Sequence, residues 1–225
     1  MTQDDEKAAA ARKSLEYIKD GMVVGLGSGS TATFVIKFLG EQVRQGLKIR
    51  GIPTSRASGE LAGSLGIPLT SFDEVPYTDV TIDGADEVAP GLALIKGGGG
   101  ALLHEKIVAA ASHRLVIVAD EHKVVERLGR FPLPVEVIPF AASPVKVQLE
   151  KMGAHPVLRA GHDGSPYITD EGNYIFDCHY GEIADPAAVA HTLKSMVGVV
   201  EHGLFLGLAS VAIIAGPSGA QVMTP

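Results

Sequence analysis

Four consecutive glycines, Gly97 to Gly100, separate Lys96 from a helix-forming segment that carries Glu105, within 96-KGGGGALLHEK-106. A plain turn needs one or two glycines, and each extra one adds chain entropy that folding must remove. Four in a row therefore suggest backbone pressed close to a ligand, or curled so that its N–H groups form a nest for an anion. Helical spacing places Glu105 on one stripe with Ala101, Val108 and Ala109. Partly desolvated there, its carboxylate becomes a stronger base, able to take a proton from carbon.

Two further loops carry chemistry. In 83-DGADE-87, Asp83, Asp86 and Glu87 are separated only by Gly84 and Ala85. Three such carboxylates repel one another unless solvent, a cation or substrate hydroxyls engage them. Taken alone the segment reads as a solvated acidic turn; its place at the end of a strand favours a site. In 25-GLGSGSTAT-33, glycines let backbone N–H groups turn inward and Ser28, Ser30 and Thr31 add hydroxyls. A helix follows, and its N-terminus suits a phosphate, although a capped glycine turn would look the same. The segment is not a dinucleotide fingerprint, because Ser30 stands where the third glycine belongs, nor a P-loop, because no Gly-Lys precedes Thr31. Lys123, after the apolar run 115-LVIVA-119, would add a cation at the same edge.

Metal ligation finds no support in spacing. His104-Glu105 resembles the start of H-E-x-x-H, but position 108 is Val108, and the other seven histidines show no ligand pattern. No metal site is expected.

These loops must be held by a scaffold. Runs 22-MVVGL-26, 79-DVTI-82, 92-LALI-95, 115-LVIVA-119 and 211-VAIIA-215 suit strands buried on both faces of a parallel sheet. A helix is expected over Asp4 to Lys19. Several strands lead through glycine into helix-like stretches, which implies an α/β, Rossmann-like, mostly parallel sheet with ligands at its carboxyl edge. Between Phe131 and Leu206 the pattern changes: 133-LPVEVI-138, a helix over 144–152, 155-HPVLR-159, a turn at 170-DEGN-173, 174-YIFDCHY-180, a helix over 186–196, and 199-VVEHGLF-205. This reads as an inserted β-α-β-β-α-β unit. The expected division is residues 1–130 with 206–225 as the main domain, and 131–205 as the smaller one.

The 225 residues are 46% hydrophobic, enough for such a core, and carry a formal net charge of -7 without a Lys/Arg run. That argues against nucleic acid or an anionic membrane as partner. The acidic start (Asp4, Asp5, Glu6) is unlike a signal peptide and no long uncharged apolar stretch occurs, so a soluble, cytoplasmic protein is expected. The single cysteine, Cys178, reads as a core filler.

Together, 25-GLGSGST-31, 83-DGADE-87, 96-KGGGGALLHEK-106, 130-RFPLPVEVIPF-140 and 167-YITDEGNYIFDC-178 closely resemble the ribose-5-phosphate isomerase A family, in order and spacing, across nearly the whole chain. The resemblance implies aldose–ketose isomerisation in the non-oxidative pentose phosphate pathway, without metal or cofactor, by a homodimer or homotetramer with the smaller domain at the interface. The family's base matches Glu105. Its substrate-binding segments match Ser28, Gly29, Ser30 and Thr31, then Asp83, Gly84, Ala85 and Asp86, then Lys96, Gly97, Gly98 and Gly99. The lysines matching Lys123 and Lys7 are expected at the phosphate. On this basis Asp83 assists ring opening and relays protons between the two oxygens, while Lys96 and the glycine nest stabilise an enediolate and Asp86 positions hydroxyls or Lys96. The alternatives are a related sugar-phosphate isomerase or deaminase, or a non-catalytic sugar-phosphate sensor; the sensor has no need of both Glu105 and Lys96.

Overall fold

The computed structural model describes residues 1–161 and 163–225. Its central sheet is assembled from β1 (Val23–Leu26), β2 (Arg50–Pro53), β3 (Val80–Asp83), β6 (Leu115–Asp120), β12 (Val211–Gly216) and β13 (Gly219–Met223), in the spatial order β13-β12-β6-β3-β1-β2. All neighbours are parallel except the terminal hairpin β12–β13. Every residue of β1, β3, β6 and β12 is buried, as strands covered on both faces of a parallel sheet require. Helices α1 (Gln3–Ser14), α2 (Gly29–Arg44) and α3 (Arg56–Ser64) seal one face, with Val35, Ile36 and Leu39 of α2 packed on Leu26, Ile82 and Val116.

From β1 the chain moves outward to β2, then returns to place β3 on the other side of β1. The order reverses between β1 and β3, and the loops leaving their carboxyl ends diverge there, opening the crevice in which doubly wound sheets bind ligands.

The run at 92–95 does not join this sheet. It forms β5 (Ala93–Ile95), paired antiparallel with β4 (Glu87–Ala89) and β11 (Leu204–Phe205) in a separate three-stranded sheet. The reason is the short connection: a parallel neighbour needs a crossover of about a dozen residues or more, whereas only 90–92 separate β4 from β5, with Gly91 at φ 70° turning the chain back. Helix α4 (Leu102–Ala110) follows and carries Glu105.

The β-α-β-β-α-β order is β7 (Leu133–Val137), α5 (Ala142–Lys151), β8 (Pro156–Leu158), β9 (Tyr174–Cys178), α6 (Pro186–Ser195) and β10 (Val199–His202), with an antiparallel sheet ordered β10-β7-β9-β8. Its own core gathers Leu133, Val135, Val145, Leu149, Phe176 and Leu193. The stretch 199–205, expected as one strand, is two. At Gly203 the chain passes so close to β7 that an added Cβ would lie 2.7 Å from Pro134 Cδ, and Gly203 bonds Pro134 O on one side and the Lys96 N–H on the other. Other departures are small: the first helix tightens into a 3-10 turn at Leu15–Tyr17 instead of running to Lys19, and β13 follows the strand expected to be last.

Candidate active site

The loops after β1 and β3 interlock. An added Cβ on Gly27 would fall 2.6 Å from Asp83 Cα, so only glycine lets these backbones meet. Asp83 Oδ1 then accepts the N–H groups of Ser28 at 3.0 Å and Gly84 at 2.8 Å. The Ser28 hydroxyl is 2.8 Å from Thr54 Oγ1 and 2.7 Å from Ser55 Oγ, which steadies the loop from β2. Helix α2 starts at Gly29, φ 89°, and Ser28 makes no side-chain cap. Its first-turn N–H groups at Gly29, Ser30 and Thr31 have no acceptor within the helix, and the positive end of its dipole lies among them.

Lys96 is almost wholly buried, at 2% exposure, and its ammonium is surrounded. It donates to Gly84 O at 2.6 Å and Glu105 Oε1 at 3.0 Å, and lies 3.0 Å from Asp83 Oδ2, in ion-pair contact but off the axis of a hydrogen bond. Phe205 closes the remaining side, its ring centroid 5.4 Å away. Burial disfavours this ammonium, but Asp83 and Glu105 outweigh it and hold the lysine pKa above its ordinary value. Glu105 is buried too, and its Oε2 accepts no hydrogen bond among the described residues. Burial pushes its pKa up to about 8; Lys96 opposes the shift, and the charges of Asp83 and Asp86 reinforce it.

The glycine run is held from both sides. Gly98 N–H donates to Asp86 Oδ2 at 2.7 Å, and Arg159 Nη1 donates to the carbonyls of Gly97 at 3.0 Å and Gly98 at 3.1 Å. Arg159 is in turn fixed on Asp177 of β9. Gly97 and Gly100 have φ of 97° and 86°, which favour glycine, and Tyr167 packs directly on Gly100.

A cleft of about 450 Å³ lies between these groups. Ser28, Gly29, Ser30, Thr31, Gly84, Ala85, Asp86, Lys96, Gly97, Gly98, Gly99, Glu105 and Lys123 line it. Asp83 lies one layer behind, 1% exposed, and Lys7 is outside the lining, its Nζ 3.6 Å from Asp4. The acidic loop is not a uniformly solvated turn. Glu87 points away from the cleft and accepts the N–H groups of Gly129 at 2.7 Å and Phe131 at 2.6 Å. His104 faces Glu171 at 2.7 Å.

Thr54, Ser55, Arg159, Tyr167 and Phe205 were not singled out from the sequence. The one readable signal was Arg159, at the end of a strand whose partner carries Asp177; reading it requires the register in which Val157 opposes Asp177. Cys178 is buried, and burial raises its thiol pKa to about 12, which fits a core filler.

The ribose 5-phosphate isomerase A (phosphoriboisomerase A) family model matches residues 50–219. A ribose-5-phosphate isomerase A from Nitrobacter hamburgensis is 53% identical over 229 residues, covering 99% of each chain. Another from Agrobacterium fabrum is 50% identical over 223 residues, covering 96% of each. Among solved structures, a D-ribose-5-phosphate isomerase in complex with phospho-erythronic acid is similar over 100% of both chains, with a TM-score of 0.97 and 39% identity. The enzyme from Neisseria gonorrhoeae gives 0.93 and 45%, covering 100% of this chain and 98% of that one.

Proposed function

The chain belongs to the ribose 5-phosphate isomerase A family and is an aldose–ketose isomerase interconverting ribose 5-phosphate and ribulose 5-phosphate, and from that premise we propose how its side chains divide the work. The observation that carries the assignment is the buried Lys96 ammonium 3.0 Å from Glu105 Oε1, with Glu105 Oε2 unpartnered at the cleft. Phosphate rests on the N–H groups of Gly29, Ser30 and Thr31, with the Ser30 and Thr31 hydroxyls and Lys123. The Ser28 N–H, turned to Asp83, takes no part. Binding energy is thereby spent on the non-reacting end of the substrate.

In the open-chain aldose, Glu105 takes the proton from carbon 2, and the electron pair moves into the carbonyl so that charge develops on the oxygen of carbon 1. Lys96 and the N–H of Gly99 stabilise this enediolate. Glu105 returns its proton to carbon 1, and the proton on the oxygen of carbon 2 passes to the oxygen of carbon 1 as the ketone forms, so no proton is gained or lost overall. Asp83 has no place in the cleft lining, so it acts on the substrate oxygens through the ammonium it flanks, while Asp86 meets hydroxyls and orients Gly98. Lys7 stands outside this set. An assay of ribose 5-phosphate conversion with and without EDTA, run beside other aldose phosphates, tests the assignment; no turnover under either condition, or a clear preference for another sugar, overturns it.

The oligomer is proposed on separate grounds. Phe140 is 98% and Val197 91% exposed, and Ile138, whose N–H bonds Gly198 O, brings them together at one end of the smaller unit. Such a patch supports self-association as a homodimer or homotetramer. Light scattering on wild type and Phe140→Asp checks it; a wild-type monomer rules it out. Among the described residues no helix is long and apolar enough to cross a membrane, and the family's metabolic role supports a cytoplasmic place.

A further inference from the structure

Beside the turn that bears Lys123, side chains from two distant stretches of sequence converge outside the cleft lining. Glu6 of α1 is 3% exposed, Asp120 at the end of β6 is fully buried, and His122, two residues on, is exposed. Among the described residues, Asp120 accepts no hydrogen bond at either carboxylate oxygen and Glu6 accepts none at Oε2. Carboxylates removed from water without donors are costly, and buried charges are ordinarily paired or bound to a metal. Lys7, next along α1, is not their counter-charge, because its ion pair is with Asp4.

His122 Nδ1 lies 3.3 Å from Asp120 Oδ1 and 3.8 Å from Glu6 Oε2, and the three donor atoms fall within 4.8 Å of one another. A tetrahedral zinc with ligands at about 2.0 Å has donor–donor edges of roughly 3.3 Å, so these atoms need only a small contraction to share one ion. We propose that Glu6, Asp120 and His122 form a binding site for a divalent transition-metal ion, with Zn²⁺ as its best match. The imidazole selects against Mg²⁺ and Ca²⁺, which take oxygen ligands, and the exposed side at His122 leaves the fourth position to water. A metal here joins the N-terminal helix to the turn carrying Lys123. It tethers the phosphate end of the cleft and does not touch substrate.

The spacing of histidines gives no hint of this site, because Glu6 of α1 and Asp120 of β6 lie far apart in the chain. To test it, the full-length protein is stripped with EDTA, desalted and titrated with Zn²⁺ by calorimetry, and with Co²⁺ by absorption. The expected result is one ion per chain, tetrahedral Co²⁺ bands and a higher thermal midpoint with Zn²⁺. Losing an outer-shell partner already costs about 10- to 100-fold in metal affinity, so Glu6→Gln and His122→Ala should each weaken binding at least that much. His122 is exposed, so its variant keeps the fold and decides the matter if Glu6→Gln does not. Absence of stoichiometric binding, or equal binding by His122→Ala, overturns the site and leaves His122 as a plain neighbour of the two acids.

Discussion

Lys96 Nζ lies 3.0 Å from Glu105 Oε1, with the lysine 2% and the glutamate 5% exposed, so the proposed base and its cation are in contact and shielded from water before a substrate arrives. The pair is unequal. Lys96 stays charged because two carboxylates flank it, whereas Glu105 shares that one ammonium with Asp83 and must bear most of the burial. The arrangement leaves the carboxylate with a proton affinity near neutrality, where a general base works best.

The first prediction concerns pH. In the proposed mechanism Glu105 acts deprotonated, and its pKa is raised to about 8, so kcat/KM should climb as pH rises through about 8. This limb is distinct from the substrate's own phosphate, whose second ionisation falls near about 6. Glu105→Gln should lose about 100- to 10,000-fold in kcat while circular dichroism shows an intact fold. Near-normal turnover in the folded variant would remove Glu105 from the mechanism, and a wild-type profile flat between pH 7 and 9 would contradict the raised pKa.

The phosphate loop gives a second prediction, in KM. Ser30 and Thr31 sit in the uncapped first turn of α2, where hydroxyls and backbone N–H groups meet the anion together. Hydrogen bonds to charged groups contribute about 1.5 to 3 kcal/mol, so Ser30→Ala with Thr31→Val should raise KM by roughly tenfold or more and leave kcat little changed. An unchanged KM would mean that backbone and Lys123 hold the phosphate alone.

Local signals in the sequence located this site and missed its supports. The residues from Lys96 to Gly99 and Glu105 are near neighbours in the chain, so their types and helical spacing point to the nest and the base proposed above. The long runs of β1, β6 and β12 showed their burial directly. The strand at 93–95 was placed in the wrong sheet because an apolar run gives burial but not direction; the Pro90-Gly91 turn decides that. Asp83 and Glu87 lie in one acidic loop yet serve different ends, since strand alternation and the return into β4 send Glu87 to the 129–131 segment. The contacts of Arg159 with Gly97 and Gly98 span 62 and 61 residues, and Glu6 meets His122 across a longer separation still, which no local pattern carries.

Arg159 supplies the third prediction. It holds the carbonyls of Gly97 and Gly98, which aims the neighbouring N–H groups, and it lies outside the cleft lining. Arg159→Ala should therefore lower kcat by about 10- to 100-fold with little effect on KM, since a misaimed donor costs transition-state stabilisation more than ground-state binding. Added guanidinium should restore part of the loss. Equal kcat in wild type and variant would show that the nest keeps its shape without the arginine.

The fourth prediction is for stability in acid. Lys106, beside the base on α4, donates to Glu201 Oε1 at 2.9 Å and to His202 O at 2.5 Å, with the Phe205 ring 4.8 Å from its ammonium. Lys194 of α6 reaches Glu201 Oε2 at 2.6 Å. Burial first, then the Lys106 ammonium, lowers the His202 pKa from 6.5 to about 4. A folded pKa below the unfolded one means that the unfolded chain takes up the proton more readily. The stability contributed by neutral His202 is thus complete above pH 6.5 and is lost as pH falls through that window to about 4, an effect on the order of 2 to 3 kcal/mol. Glu201, held at about 2 by Lys194 and Lys106 against the opposing effect of burial, adds its own loss only below 4.5. Glu105, protonated in the fold up to about 8, titrates in the same window with the opposite sign, so the histidine is isolated as a difference: urea unfolding between pH 6.5 and 4.5 should show wild-type stability falling relative to His202→Gln as the pH drops. Parallel slopes in the two proteins would show that this junction between the helix of the base and the smaller sheet does not sense protons in that range.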